Sequence, residues 1–292
     1  MRYGNLSRQL SSLAGPIFIE TLLVMMLGAV DTFMLSRYSD NSVAAVGVVN
    51  QLMNLVFLLF EVISIGTSIL CSQYIGAGRR DKVIQVVGIS LIFNLFSGLL
   101  LSLGLYSFAG SLLQMMGLRP DLMSDGLPYM KIVGGFAFLQ AISLSLSASL
   151  RSADKAKYPM YVSMVVNVLN IIGNYTLIFG KFGVPALGLE GAAIATFISR
   201  VFEIVMVAVY AFFIDKRIPF MPKKLFVPGK VIAQDYIRYA TPVVINETLW
   251  SAGYSMYAVV FGHMQGAADI VAAYSVTGSI ERLMLVFCNG VG

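Results

Sequence analysis

The sequence predicts an all-α protein that crosses a membrane several times, and three features of the chain support this. Apolar residues make up 58% of its 292 residues, charged residues make up 12%, and the mean hydropathy is +0.80. Soluble domains contain about 25% charged residues, so this balance is typical of a membrane protein. The apolar residues are grouped into long runs, and parts of the first half recur in the second half.

Each apolar run is long enough to cross the hydrocarbon as a helix, for which about 20 residues suffice. The runs predict eight spans, and the last is still apolar when the chain stops at Gly292. They cover residues 13–36, 44–75, 84–114, 127–150, 158–180, 190–214, 239–262 and 270–292.

The basic residues predict the orientation of the spans. Fourteen of the 20 Lys and Arg residues lie at the amino terminus or in every second loop, and four lie on the opposite side. Because cytoplasmic loops carry an excess of Lys and Arg, we expect the amino terminus to be cytoplasmic. The net charge of +5 is therefore a topology signal. We expect a multi-pass protein of the plasma (inner) membrane that binds no nucleic acid.

The chain also contains an internal repeat. "AGPIFIETL" at 14–22 resembles "ATPVVINETL" at 240–249, and "VAAVGV" from Val43 recurs as "VAAYSV" from Val271. Between the copies lies the most polar segment, residues 214–236, which we interpret as a cytoplasmic linker. The prediction is a six-helix lobe (1–213), the linker, and the first two helices of a related lobe (237–292). A complete protein would then have twelve helices, so we expect this chain to be a fragment or a truncated product, with a native eight-helix protein as the alternative.

Several motifs along the chain resemble one known family of transporters. They include "GPIFIETLLVMMLGAVDTFMLSR" in the first span, "LRSADKAKYPM" before the fifth, "NVLNIIGNYTLIFG" within it and "TPVVINETLWSAG" in the seventh. In order and spacing, these motifs are similar to those of the multidrug and toxic compound extrusion (MATE) family of cation-coupled antiporters. The resemblance implies alternating access between two six-helix lobes.

Asp31 is the polar residue of the first span that most needs an explanation. It lies within the outer end of an apolar run, where a carboxylate must be protonated, paired or bound to a cation. The resemblance implies that this aspartate belongs to a cation or proton site. The alternative is an aspartate that reaches the headgroups or caps a neighbouring helix.

Asparagines of the fifth span are the predicted partners of Asp31. Asn167, Asn170 and Asn174 are three and four residues apart, so their side chains share one helical face, which we expect to point into the lobe. Some members of the family carry Asp where Asn174 stands, so Asp31 would be the one strong carboxylate of a site for Na+ or H+. Thr196 is a further candidate ligand, with helix packing as the alternative.

Two other acids are candidate coupling residues. The resemblance implies a functional acid at Glu247 in the second lobe, where it would exchange a proton or hold a cationic substrate; a structural hydrogen-bond network is the alternative. Glu61 in the second span is either a cavity acid or a partner in an interhelical hydrogen bond. Arg200 and Glu203, three residues apart, can pair with each other.

The function that the resemblance implies is export of small organic cations in exchange for Na+ or H+. We expect no enzyme activity and no cofactor, because the sequence contains no catalytic or nucleotide-binding motif. We expect the complete protein to be monomeric in the lipid bilayer. The alternatives are a flippase for a lipid-linked or polysaccharide cargo, and a nontransporting membrane scaffold or fragment.

Overall fold

The computed structural model describes residues 2–153, 155–214 and 234–238, and positions 241–243, 245–246, 249–250, 253, 256 and 277. It describes the side chains from residue 15 onward, apart from those of residues 80 and 212. Nearly all of the described residues are helical, and none of them lies in a strand. This confirms the predicted all-α fold.

Eight α-helices follow one another in the described part of residues 2–214. They are α1 (Arg2–Tyr38), α2 (Asp40–Gly76), α3 (Arg80–Ser107), α4 (Ala109–Met115), α5 (Met123–Gly135), α6 (Ala137–Ser152), α7 (Lys157–Phe179) and α8 (Gly188–Val209). A 3₁₀ turn, Pro120–Leu122, precedes α5, and a π-helical turn, Tyr210–Ile214, follows α8.

Six segments among the described residues are long and apolar enough to cross a membrane, one for each of the first six predicted spans. The fourth segment, Pro120–Ser152, is not one continuous helix, because it breaks at Phe136 between α5 and α6. Gly134 and Gly135 precede the break and favour it, since glycine is a poor helix former. The predicted seventh and eighth spans lie largely outside the described residues.

Large apolar side chains are exposed along one face of α3. Phe96, Leu100 and Leu103 follow the helical repeat and are 71%, 63% and 66% exposed. Such a contiguous apolar face is unfavourable in water and is the normal surface of a helix that faces lipid. The exposed apolar surface and the composition therefore both indicate a multi-pass membrane protein.

The helix α7 packs against both α1 and α8, and small residues allow its close approach to α8. A Cβ atom added to Gly173 would lie 3.1 Å from the Cβ of Ala195. A Cβ atom added to Gly191 would lie 2.6 Å from the main-chain oxygen of Leu177. Close helix packing through small residues is common in membranes, and here it brings the polar face of α7 next to α8.

Residues 234–238, which include the end of the predicted linker (214–236), pack on the first lobe. The Tyr236 side chain is buried against α2 and α3, its hydroxyl donates to the Ile63 carbonyl oxygen at 2.7 Å, and its ring stacks on Phe93. Beside it, the Tyr74 hydroxyl donates to Asp235 at 3.2 Å. These contacts hold residues 235 and 236 against α2 and α3.

The close approach of α7 and α8 can be tested with Gly191→Ala. The added methyl group would meet the Leu177 carbonyl, which belongs to the main chain and cannot move aside on its own. Overpacking of this kind costs about 1–3 kcal/mol, so we expect a lower unfolding temperature in detergent. Gly104→Ala is the matched control, because its Cβ has no neighbour within 4 Å. Equal unfolding temperatures for the two variants would contradict this packing.

Candidate functional site

Three asparagines of α7 form a buried row. Asn167, Asn170 and Asn174 are 9%, 2% and 0% exposed, so the row points into the lobe as its spacing predicts. Asn167 donates to the main-chain oxygen of Leu23 in α1 at 3.0 Å. This bond anchors α1 to α7 and leaves the other two asparagines as the polar groups near Asp31.

A continuous hydrogen-bonded chain joins Asp31 to α7 and α8. The Asn174 amide nitrogen donates to Asp31 Oδ1 at 2.7 Å and to Asn170 Oδ1 at 2.9 Å. The Asn170 amide nitrogen in turn lies 3.5 Å from Thr196 Oγ1, which accepts from it weakly. The structure thus brings together Asp31, Asn170, Asn174 and Thr196, which lie far apart in the sequence.

Asp31, Asn174 and Thr196 also line a cavity of about 170 Å³ inside the lobe. Pockets for drug-sized ligands measure about 300–1,000 Å³, so this cavity is too small for such a molecule. Liquid water occupies about 30 Å³ per molecule, so the cavity has room for an ion and a few waters. Aromatic and sulfur-containing side chains form much of the remaining wall: Met53, Phe57, Tyr129, Phe136 and Phe197.

Two amide oxygens in the cavity wall accept no hydrogen bond within the described part of the protein. They are Asn174 Oδ1 and Gln140 Oε1, and both atoms are buried. A buried acceptor left unpaired costs about 1–3 kcal/mol. Amide and carboxylate oxygens are hard ligands that suit small hard cations, so the wall has the donor set of a site for a cation such as Na+.

Asp31 differs from the neighbouring acids in its hydrogen-bond partner. Arg200 Nη1 lies 2.6 Å from Glu203 Oε2, as their sequence spacing allows, and Arg151 lies 3.3 Å from Glu20. Asp31 has a neutral amide as its hydrogen-bond partner instead of a base. Of these five charged groups only Asp31 and Arg200 line the cavity, and Arg200 is paired with Glu203. Asp31 is therefore the carboxylate whose charge one proton or one monovalent cation would neutralise.

The site as described includes neither of the two other predicted acids, one of which lies outside the described residues. Glu61 lies on an exposed face of α2 and is not among the residues that line the cavity. Glu247 lies outside the described residues. Their predicted roles in coupling stay predictions.

Three residues of the cavity wall were not predicted from the sequence. Gln140 and Tyr129 line the cavity, and Arg200 lies in its wall in addition to pairing with Glu203. An uncharged polar residue within the fourth span was the available signal for Gln140. The spacing of Arg200 and Glu203 indicated their pairing and gave no information on which cavity α8 faces.

The family model MatE matches residues 16–176 of the chain, which include both Asp31 and the asparagine row. This chain belongs to the MATE family. The match confirms the family resemblance seen in the motifs.

Proteins similar to this chain include a transporter and a probable multidrug resistance protein from two bacteria. An uncharacterized transporter of Bacillus subtilis, YisQ, is 44% identical over 284 residues, which are 97% of this chain and 61% of that protein. The probable multidrug resistance protein NorM of Thermotoga maritima is 30% identical and covers 97% of this chain, with 60% of its own length matched. The chain therefore spans about three fifths of the length of these relatives.

A solved MATE structure has the same fold. The outward-facing conformation of a multidrug resistance MATE family transporter matches with a TM-score of 0.85 and 22% identity, over 97% of this chain and 62% of that one. The family match and these relatives place the chain in a family of membrane transporters.

The contact between Asp31 and Asn174 can be tested by a double-mutant cycle. Asn174→Leu removes the donor to Asp31 and Asn170 while keeping a similar volume, and we expect it to destabilise the protein by about 1–3 kcal/mol. In an Asp31→Ala background, which has no acceptor for this amide, the loss should be smaller, with a coupling of at least about 0.5 kcal/mol. Unfolding in detergent measures both losses, and Thr176→Val, whose hydroxyl bonds only within its own helix, is the control. Additive losses would contradict a direct contact.

Proposed function

We propose that the protein is a secondary antiporter that exports small organic cations in exchange for Na+ or H+. The proposal rests on the surroundings of Asp31. This carboxylate lies in a small cavity lined by amide oxygens, and its hydrogen-bond partner is the neutral Asn174 amide. The names of relatives as transporters and multidrug resistance proteins support it. The proposed setting is the plasma membrane, with a cytoplasmic amino terminus and a monomeric protein.

Asp31, Asn170, Asn174 and Thr196 would hold the coupling cation. As described, the Asn174 amide nitrogen donates to oxygens of both Asp31 and Asn170. An amide nitrogen cannot ligate a metal cation, so Asn174 would contribute Oδ1, the wall oxygen that has no hydrogen-bond partner among the described residues. Na+ on Asp31 would compete with the Asn174 N–H for the same carboxylate. A proton on Asp31 would act on the same contact, because a protonated carboxyl accepts the amide N–H more weakly.

Occupation of the site would change how α1 is held. The helix is bonded to α7 at two of the described points, through Asn167 and the Leu23 carbonyl and through Asn174 and Asp31. A cation would alter the contact at Asp31 and leave the contact at Leu23 unchanged. The end of α1 that contains Asp31 would then shift relative to the middle of the helix. Such a shift drives transport if the two conformations bind the cation with different affinity.

The cargo would bind outside the Asp31 cavity, because about 170 Å³ does not hold a drug-sized cation. An anionic lipid cargo, the alternative, would favour a cavity with excess positive charge. Arg200 is the one base among the described residues that line this cavity, and Glu203 neutralises it. This cavity therefore gives no support to that alternative.

Ethidium efflux from membrane vesicles under separate Na+ and H+ gradients tests the proposal. We expect one of the gradients to drive efflux, and Asp31→Asn to abolish that dependence because the site loses the charge of this carboxylate. Asp40→Asn, which changes an exposed aspartate at the start of α2, should behave like the unmodified protein.

Gradient-driven efflux that is unchanged in Asp31→Asn would contradict the role given to Asp31. No efflux under either gradient would favour a flippase or a nontransporting scaffold.

A further inference from the structure

Arg200 lies in the wall of the Asp31 cavity, one turn of α8 beyond Thr196. Residues four apart share a helical face, so the arginine projects on the same side as the threonine of the proposed cation site. Among the described residues that line the cavity, Asp31 is the one acid and Arg200 is the one base. The guanidinium group is also close enough to Asp31 for a Coulombic attraction between them.

Arg200 is fixed at one end by a buried acid. Its Nη1 donates to Glu203 Oε2 at 2.6 Å, and Glu203 Oε1 accepts from the Ser143 hydroxyl at 2.6 Å. Glu203 is thus held by two neighbours and is only 9% exposed. A guanidinium group has five N–H donors, so Arg200 has further donors beyond the one that bonds to Glu203.

Two carboxylates, on different helices, therefore compete for one guanidinium group. Glu203 and Arg200 are both in α8, whereas Asp31 is in α1. When the coupling cation leaves, Asp31 becomes a half-buried carboxylate that accepts a hydrogen bond from the neutral Asn174 amide, and its charge is unfavourable there without a counter-charge. The long, flexible side chain of Arg200 has the charge that this state needs.

We propose that Arg200 competes with the coupling cation for Asp31, and that the ion pair with Glu203 keeps the guanidinium group away from Asp31. The inference rests on the proposed function, since it names what regulates the cation affinity of the Asp31 site. With Arg200 on Glu203, Asp31 is available to Na+ or a proton. With Arg200 turned to Asp31, the cation is displaced. The lobe can then change conformation while the guanidinium group of Arg200 neutralises the charge of Asp31.

If Arg200 has this role, substitutions of Arg200 and of Glu203 change the cation affinity in opposite directions. Arg200→Gln removes the competitor, so Na+ or proton binding at Asp31 should tighten by about tenfold. Glu203→Gln keeps the shape and the Ser143 contact but weakens the hold on Arg200, so cation binding should weaken by a similar factor. A pair that only stabilised the fold would shift both variants in the same direction.

A double variant controls for the charge left behind in Arg200→Gln, where the unpaired Glu203 could itself attract a cation. Arg200→Gln combined with Glu203→Gln removes both charges, and we expect it to bind the cation as tightly as Arg200→Gln alone. Glu190→Gln, an exposed acid at the start of α8, should leave the affinity unchanged.

The measurement is calorimetric Na+ binding to the purified protein in nanodiscs, with proton uptake recorded in parallel. Opposite shifts in the two single variants, with the double variant tight, would support the proposal. Shifts in one direction, or a double variant that binds like the unmodified protein, would overturn it. In Asp31→Asn, cation binding should be lost; if it persists unchanged, the proposed function itself fails, whereas its loss without opposite shifts rejects only the role of Arg200.

Discussion

The hydrogen bonds of the Asn174 amide are the interaction on which the proposed mechanism depends. One nitrogen atom donates to Asp31 in α1 and to Asn170 in its own helix, and Asn170 continues the chain to Thr196 in α8. Three spans are thereby connected through groups that would each be costly to bury alone. The same amide has an oxygen without a hydrogen-bond partner among the described residues, so its bonding can change when a cation arrives.

Close packing of the helices allows this chain of hydrogen bonds to form. Gly191 and Gly173 let α7 and α8 approach within the distance that Asn170 and Thr196 require. The break at Phe136 divides the fourth span beside the cavity, whose wall includes residues on both sides of it. Interrupted helices near ion sites are a common feature of secondary transporters, and here the break accompanies a polar residue, Gln140, in the wall.

Much of this fold, and a part of the site, could be predicted from the sequence. Length and hydropathy predicted six spans that the described residues contain, and the spacing of Asn167, Asn170 and Asn174 predicted their shared buried face. Gln140 and Arg200 were not predicted in the cavity wall, because the direction that each helix faces depends on packing between helices distant in sequence. Pairing of Arg200 with Glu203 was predictable, since it is local to one helix.

In the proposed mechanism, Asp31 takes up the coupling cation, as a proton or as Na+. Infrared difference spectroscopy of the purified protein in nanodiscs tests it directly, because carboxyl and carboxylate groups absorb at separate frequencies. We expect addition of Na+, or a downward pH step, to change a carboxylate band that is absent from the difference spectrum of Asp31→Asn. A difference spectrum with the same carboxylate band in Asp31→Asn would contradict the account.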